Sequence, residues 1–335
     1  MYRQFKQVVL TSWALLLAVF LLPLWLIEPW TADPAAEPTE ATLPIDRPIR
    51  RGAARDKGRA VRLLMPDDTV EQTTMADYLQ QVVAAEMPAA FEPEALKAQA
   101  CAARTYVVRL QNSGGKHPQA DVCTDSTCCQ AWISTAEADA KWGEDAGQYR
   151  DKIAAAVADT DALGVLYGGE PIDALFFSSA PGKTSDAVAV WGSSVDYLKS
   201  VDSPEGEEVP NYRTTVTLTA QELREAILAR YPGADLSGKQ ENWLSEVRRE
   251  ESGAVSSALV GGVTLTGNQL RGVLGLRSPA FTHSFDGEKF TFEVTGYGHG
   301  VGMSQYGANK MAAEGASFRA ILEWYYTGVE VGTLW

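Results

Sequence analysis

The stretch "VVAAEMPAAFEPEALKAQACAARTY", residues 82–106, places three glutamates, Glu86, Glu92 and Glu94, within nine residues otherwise filled by alanine, proline and bulky apolar side chains. Upstream, "TMADYLQQVVAAEM" has apolar residues at i, i+3 and i+4, which predicts a helix that Pro88 stops. A second helix is predicted from Pro93, a good first-turn residue, to the Gly114-Gly115 pair, and its many alanines imply close packing. Helix ends are electrically unequal, and this sorts the carboxylates. Glu92 and Glu94 flank the first turn of the second helix, where free N–H groups stabilise a negative charge, and read as structural. Glu86 closes the first helix at its negative end, among Ala84, Ala85, Met87 and Pro88, where desolvation and the dipole both favour the protonated form. That environment suits a general acid, although a surface glutamate at a helix terminus is the commoner occupant of such a position.

Working outward, "AVRLLMPDDTVEQ" reads as two short strands about a Pro-Asp-Asp turn, and a further helix is predicted over 149–160. "GVLYGGEPIDALFFSSA" reads as a hairpin with a buried second strand, and "TAQELREAILARY" as a helix with a threonine cap. Strands follow near 263–265, 281–285 and 290–294, and two helices separated near Gly315 close the chain. No βαβ period recurs, so the expected fold is α+β, with mixed helices and antiparallel strands forming one domain over residues 60–335 around a groove.

The N-terminal part has a different character. Residues 8–27 are uncharged and long enough to cross a bilayer as a helix. Arg3 and Lys6 precede them, and Glu28, Asp33 and Glu37 follow, so residues 1–7 are expected in the cytoplasm and the rest outside. A cleaved signal peptide is the rival reading. Residues 28–59, proline-rich and then basic, are expected to be a linker. The 335-residue chain carries 43 acidic and 29 basic side chains, a net charge of -14, which argues against a nucleic-acid partner.

One histidine and three cysteines cluster in "HPQADVCTDSTCCQAW". His117, Cys123 and Cys129 offer a nitrogen and thiolates to a zinc ion; a disulfide is the alternative outside the cytoplasm. Cys128, adjacent to Cys129, is expected not to share Cys123 with it, and Cys101 is expected to be a buried thiol. The glycines of "GYGHGVGMSQYGA" lack the dinucleotide spacing, and Phe177 occupies the first glycine position of a phosphate loop ending in "PGKT". The loop is expected instead to bring His299, Ser304 and Gln305 against sugar hydroxyls, with Lys183, Thr184, Trp191 and Tyr197 along the same groove.

"YLQQVVAAEMPAAFEPEALKAQACAARTY" together with "GYGHGVGMSQYGA" resembles the signature of the SpoIID family, and "LFFSSAPGKTSDAVAVWGSSVDYLKSV" and "LTGNQLRGVLGLRSPAFT" fall in family order, from about Ala60 to the C-terminus. Gln81, Cys101 and Ala180-Pro181 depart from the usual pattern. The resemblance implies a membrane-tethered peptidoglycan lytic transglycosylase acting in spore engulfment, in the space between mother cell and forespore. Its implied substrate is glycan strands stripped of stem peptides, and its implied partners are a cell-wall amidase and a membrane scaffold. Glu86 corresponds to the family's catalytic glutamate. Some clostridial members are known for zinc at an arrangement matching His117, Cys123 and Cys129. Relatives described as amidase enhancers keep a non-catalytic wall-binding activator open, and a zinc hydrolase centred on His117 is a third reading.

Overall fold

The computed structural model describes residues 55–335, without the side chains of Ala189 and Trp191. The expected cytoplasmic tip, membrane helix and most of the linker lie outside the described residues. Among the described residues no helix is long and apolar enough to cross a membrane. The stretch read as linker to residue 59 is already folded from Arg55, where a short helix, Arg55–Gly58, buries Asp56.

The centre of the larger apolar cluster is the helix Pro93–Ser113. Proline sits in its first turn, and Gly114, at φ 86°, ends it in the left-handed conformation with its N–H on the Leu110 carbonyl. Ala95, Ala98, Ala100, Ala102 and Ala103 are all fully buried, so neighbours approach from every side. The helices Met75–Glu86, Ala146–Asp159, Gln305–Ala313 and Phe318–Tyr325 and the strand Leu163–Tyr167 all pack on it. Glu92 and Glu94 hold its start: the Glu92 N–H donates to the Asn309 side chain at 2.8 Å, and Glu94 accepts from the Phe318 N–H at 2.8 Å. Glu94 acts through its carboxylate, as expected, whereas Glu92 acts through its backbone and its side chain makes no cap hydrogen bond.

Arg104 lies fully buried in this cluster, paired with the buried Asp56. It donates to Asp56 at 2.6 to 3.1 Å and to the Leu163 carbonyl at 2.8 Å, so the guanidinium ties the start of the described chain to the central helix and to the strand beside it. Next to it, Thr105 donates to the Cys101 carbonyl and accepts from the Val165 N–H. Cys101 is fully buried, and burial pushes its thiol up to about 11.

Strands are short and mostly antiparallel. Ala60–Leu64 pairs with Val70–Thr74 as the expected hairpin, and in parallel with Val122–Cys123. The second predicted hairpin is corrected. Leu163–Tyr167 turns back only through Glu170–Pro171 and one further bond from the Ile172 N–H to the Val165 carbonyl, and Phe176–Phe177, of which Phe177 is buried and Phe176 partly so, lies instead in parallel beside Met303–Ser304. A second apolar cluster, from Val216 to Val294, has its own core of Leu223, Ile227, Phe281, Phe290 and Phe292 beneath two three-stranded sheets and two helices. Sequence periodicity missed its strands Arg213–Thr219, Leu244–Arg249 and Val255–Val260 and its helix Gly267–Leu274. The architecture is mixed α+β.

Because an unpaired buried charge is far costlier than a buried pair, Asp56→Asn is expected to lower the unfolding free energy by about 3–5 kcal/mol. Chemical denaturation monitored by tryptophan fluorescence measures the loss.

Candidate active site

Glu86 is the last residue of the helix Met75–Glu86. Thr74 caps the start of that helix, and the chain leaves it in an extended conformation at Met87. Midway along the helix, Gln81, one of the departures from the family pattern, accepts the indole N–H of Trp132 at 2.8 Å. The Glu86 carboxyl faces a cleft of about 420 Å³. Its Oε1 accepts from the Ala131 N–H at 2.7 Å, and its Oε2 accepts from the Gln305 amide at 3.1 Å. Burial raises its pKa above the ordinary value of 4.5, against the lowering effect of those two donors. The carboxyl is therefore both sheltered and open to a ligand. Among the described residues it is the only carboxylate lining the cleft, whose wall also includes Tyr106, Arg271, Tyr297, His299 and Gln305.

The two donors are set by distant parts of the chain. Gln305 begins the helix Gln305–Ala313, whose cap is Ser304. The Ser304 hydroxyl donates to the buried Glu205 carboxylate, which also accepts from the Ala180 N–H and from Ser203 at 2.6 Å each. Ser304 is thus fully buried and faces protein, which corrects the expectation that it meets sugar.

His299 lines the cleft, but both its ring nitrogens are engaged. Nδ1 accepts from the Val301 N–H at 3.2 Å, and Nε2 then carries the proton donated to the Phe176 carbonyl at 3.0 Å. Burial lowers its pKa to about 4, so the ring is neutral and fastens the glycine loop to the strand Phe176–Phe177. The glycines serve the same closeness. A Cβ at Gly298 would strike the Phe177 side chain, and one at Gly302 the Leu175 carbonyl, so their missing side chains admit protein rather than sugar.

The remaining groove candidates lie elsewhere. Thr184 is buried and accepts from the Val201 N–H at 2.9 Å. Lys183 is on the surface beside Asp202 and Glu251, at 3.4 and 3.3 Å. The Tyr197 hydroxyl accepts from the Asp173 N–H at 3.2 Å, away from the cleft lining. The sequence reading missed Ala131, whose contribution is a backbone N–H that no side-chain pattern records. It also missed Arg271 and Tyr297, though an arginine inside the otherwise uncharged "GNQLRGVL" was a visible signal.

His117, Cys123, Cys128 and Cys129 form a second constellation, with their four ligand atoms all within 4.8 Å of one another. The His117 Nε2 lies 3.6 Å from each of the Cys128 and Cys129 sulfurs, which are 3.9 Å apart. Tetrahedral zinc with sulfur at ~2.3 Å requires sulfur–sulfur edges of about 3.8 Å, and one imidazole with three thiols is a usual donor set for it, so these residues fit a metal ion. The expected exclusion of Cys128 is corrected. The Cys128 and Cys129 N–H groups both donate to the Asp125 carbonyl, and this tight turn brings adjacent sulfurs to one point. All four cysteines are free thiols. Cys129 also lies on the cleft wall, two residues before Ala131.

The family described as "Stage II sporulation protein" matches residues 67–167. The chain is 37% identical to the stage II sporulation protein D of Bacillus subtilis (strain 168), over 97% of this chain and 96% of that one. It is 38% identical to the protein of the same name from Bacillus amyloliquefaciens, over 88% and 81%. It is also 28% identical to the amidase enhancer of Bacillus subtilis (strain 168), over 75% of this chain and 39% of the enhancer.

Replacing Gln305 by methionine removes a donor that favours the ionised carboxyl, so the Glu86 pKa is expected to rise further. A pH titration of the Glu86 side-chain carbon by NMR, in Gln305→Met and in the parent protein, reads the direction.

Proposed function

Because this chain belongs to the SpoIID family, we propose that it is a peptidoglycan lytic transglycosylase acting on glycan strands freed of stem peptides, with Glu86 as its acid and base. The observation that carries this reading is that Glu86 is the only carboxylate lining the cleft among the described residues. Hydrolysis by the usual glycosidase route needs two carboxyl groups about 5 to 9.5 Å apart, one of them to manage a water or to attack the sugar. A single carboxyl suffices when the nucleophile is part of the substrate. Protonated Glu86 gives its proton to the oxygen linking N-acetylmuramic acid to the next sugar, and the bond from C1 to that oxygen breaks. The resulting carboxylate, held by Ala131 and Gln305, takes the proton of the muramic 6-hydroxyl as that oxygen closes on C1. The product is a 1,6-anhydro ring, Glu86 ends protonated as it began, and no water enters.

The same reading puts the catalytic domain outside the cytoplasm, held by residues 8–27 as a membrane anchor, beside an amidase that exposes its substrate during engulfment. The likeness to a protein named amidase enhancer favours a second reading, a wall-binding activator without activity of its own. We also propose that the metal is zinc, held by His117, Cys123, Cys128 and Cys129. Four protein ligands give a closed, structural site that stabilises the turn leading to Ala131.

Product analysis separates the two readings. Denuded strands incubated with the protein should acquire anhydromuramic ends, and Glu86→Gln should slow their appearance about 100- to 10,000-fold with an unchanged melting temperature. An activator would produce none. Since the acid must carry its proton, the rate should fall as pH rises through the Glu86 pKa, which burial holds above 4.5.

For the metal, one zinc per chain is expected by elemental analysis. Zinc at about a hundred times its dissociation constant contributes ~2.7 kcal/mol to stability. A strong chelator should remove that stabilisation from the parent protein and have less to remove from Cys128→Ser, as thermal melting would read.

A further inference from the structure

Arg271 stands on the helix Gly267–Leu274, which belongs to the second apolar cluster, and its side chain lines the same cleft as Glu86. Its Nε donates to the Arg277 carbonyl at 3.0 Å, which fixes the direction of the guanidinium. The two terminal nitrogens find no partner among the described residues, and no carboxylate pairs with the group. Burial lowers its pKa, and the interaction that opposes this comes from a tyrosine, Tyr297, rather than from an acid. Behind the cleft wall, the Arg277 guanidinium lies 3.8 Å over the ring of Tyr297, which lines the cleft, and its buried Nε has no hydrogen-bond partner among the described residues. In a chain with a net charge of -14, an arginine on the cleft wall with no acidic partner among the described residues marks a place prepared for an anion.

Taking the proposed function as its premise, we infer that Arg271 receives the lactyl carboxylate of N-acetylmuramic acid and so makes the removal of the stem peptide a condition of binding. The chemistry is selective in itself. While a stem peptide is attached, the lactyl carboxyl is an amide, neutral and followed by bulk. Hydrolysis of that amide leaves a free carboxylate on every muramic residue. A planar guanidinium with both terminal nitrogens open accepts such a group in a two-point contact, which a neutral amide oxygen cannot match. Arg271 is then the residue that senses that this amide bond has been cleaved. Elsewhere the chain's negative charge repels a polyanionic strand, so the cation also fixes where along the surface the strand enters.

The test separates binding from cleavage. Denuded muramic oligosaccharides, and the same oligosaccharides with their lactyl carboxylates converted to methylamides, are titrated calorimetrically into the catalytically silenced Glu86→Gln protein. The carboxylate form is expected to bind about 10- to 150-fold more tightly, the range for hydrogen bonds to a charged group. Arg271→Gln, introduced into the same protein, should bind both forms alike, and Arg271→Lys should keep part of the difference; thermal melting verifies that both are folded. Equal binding of the two oligosaccharides to the Glu86→Gln protein, undiminished discrimination by Arg271→Gln, or no binding of either ligand overturns the inference. Failure of the lytic reading looks different: carboxylate-dependent binding would persist while the parent protein released no anhydro ends.

Discussion

A carboxyl group kept out of bulk water, yet supported by only two hydrogen bonds, is the constraint around which this molecule is arranged. Full burial without donors would hold Glu86 in its protonated form; several donors or a nearby cation would hold it in its ionised form. The two donors that stand between these extremes come from positions 131 and 305, 45 residues later and 219 residues later in the chain. Each needs its own support. Ala131 follows a turn that gathers three sulfurs and an imidazole, and Gln305 follows a serine fastened to a buried glutamate. Much of the polar architecture beyond the cleft is explicable as the means of bringing two N–H groups to one side chain.

The glycine loop changes meaning in this light. Its composition suggested a surface kept bare for a ligand. In the structure its lack of side chains lets it lie against the strand Phe176–Phe177, with the neutral His299 ring as the fastener. The loop's contribution to the cleft is indirect: by seating there, it delivers Tyr297 to the rim and Gln305 to the carboxyl.

What could be read from the residues alone divides along physical lines. The helix ending in Glu86, its successor and the two C-terminal helices were legible because their apolar periodicity is long and bounded by proline, glycine or capping residues. Helix polarity separates Glu86 from Glu92 and Glu94, but it was the resemblance to the SpoIID signature that raised it above a surface glutamate at a helix terminus. The strands between residues 213 and 260 were not legible, since they are half-exposed and rich in threonine, serine and arginine, so the contrast between their faces is weak even in Arg213–Thr219, where exposure alternates. His117, Cys123 and Cys129 were visible as a cluster, but Cys128 was not, because a turn can align adjacent sulfurs where an extended chain would point them apart. Ser304, Thr184 and Tyr197 looked like ligand-facing polar groups; that their hydroxyls meet backbone and carboxylate partners depends on segments far away in sequence, on which local pattern is silent.

The second apolar cluster enters and leaves the rest of the chain at neighbouring points: the Gly296 N–H donates to the Tyr212 carbonyl at 2.8 Å, and Arg213 pairs with Thr295. A segment whose two ends meet can lengthen, shrink or be replaced without rethreading its host, as inserted modules generally can. The proposed acid and the proposed anion receptor thus fall on different parts of the chain: Glu86 ends a helix of the host, and Arg271 stands on a helix of the insert. On the proposed reading, substitutions confined to that graft offer a way to alter preference for the polymer while leaving Glu86 and its two donors untouched.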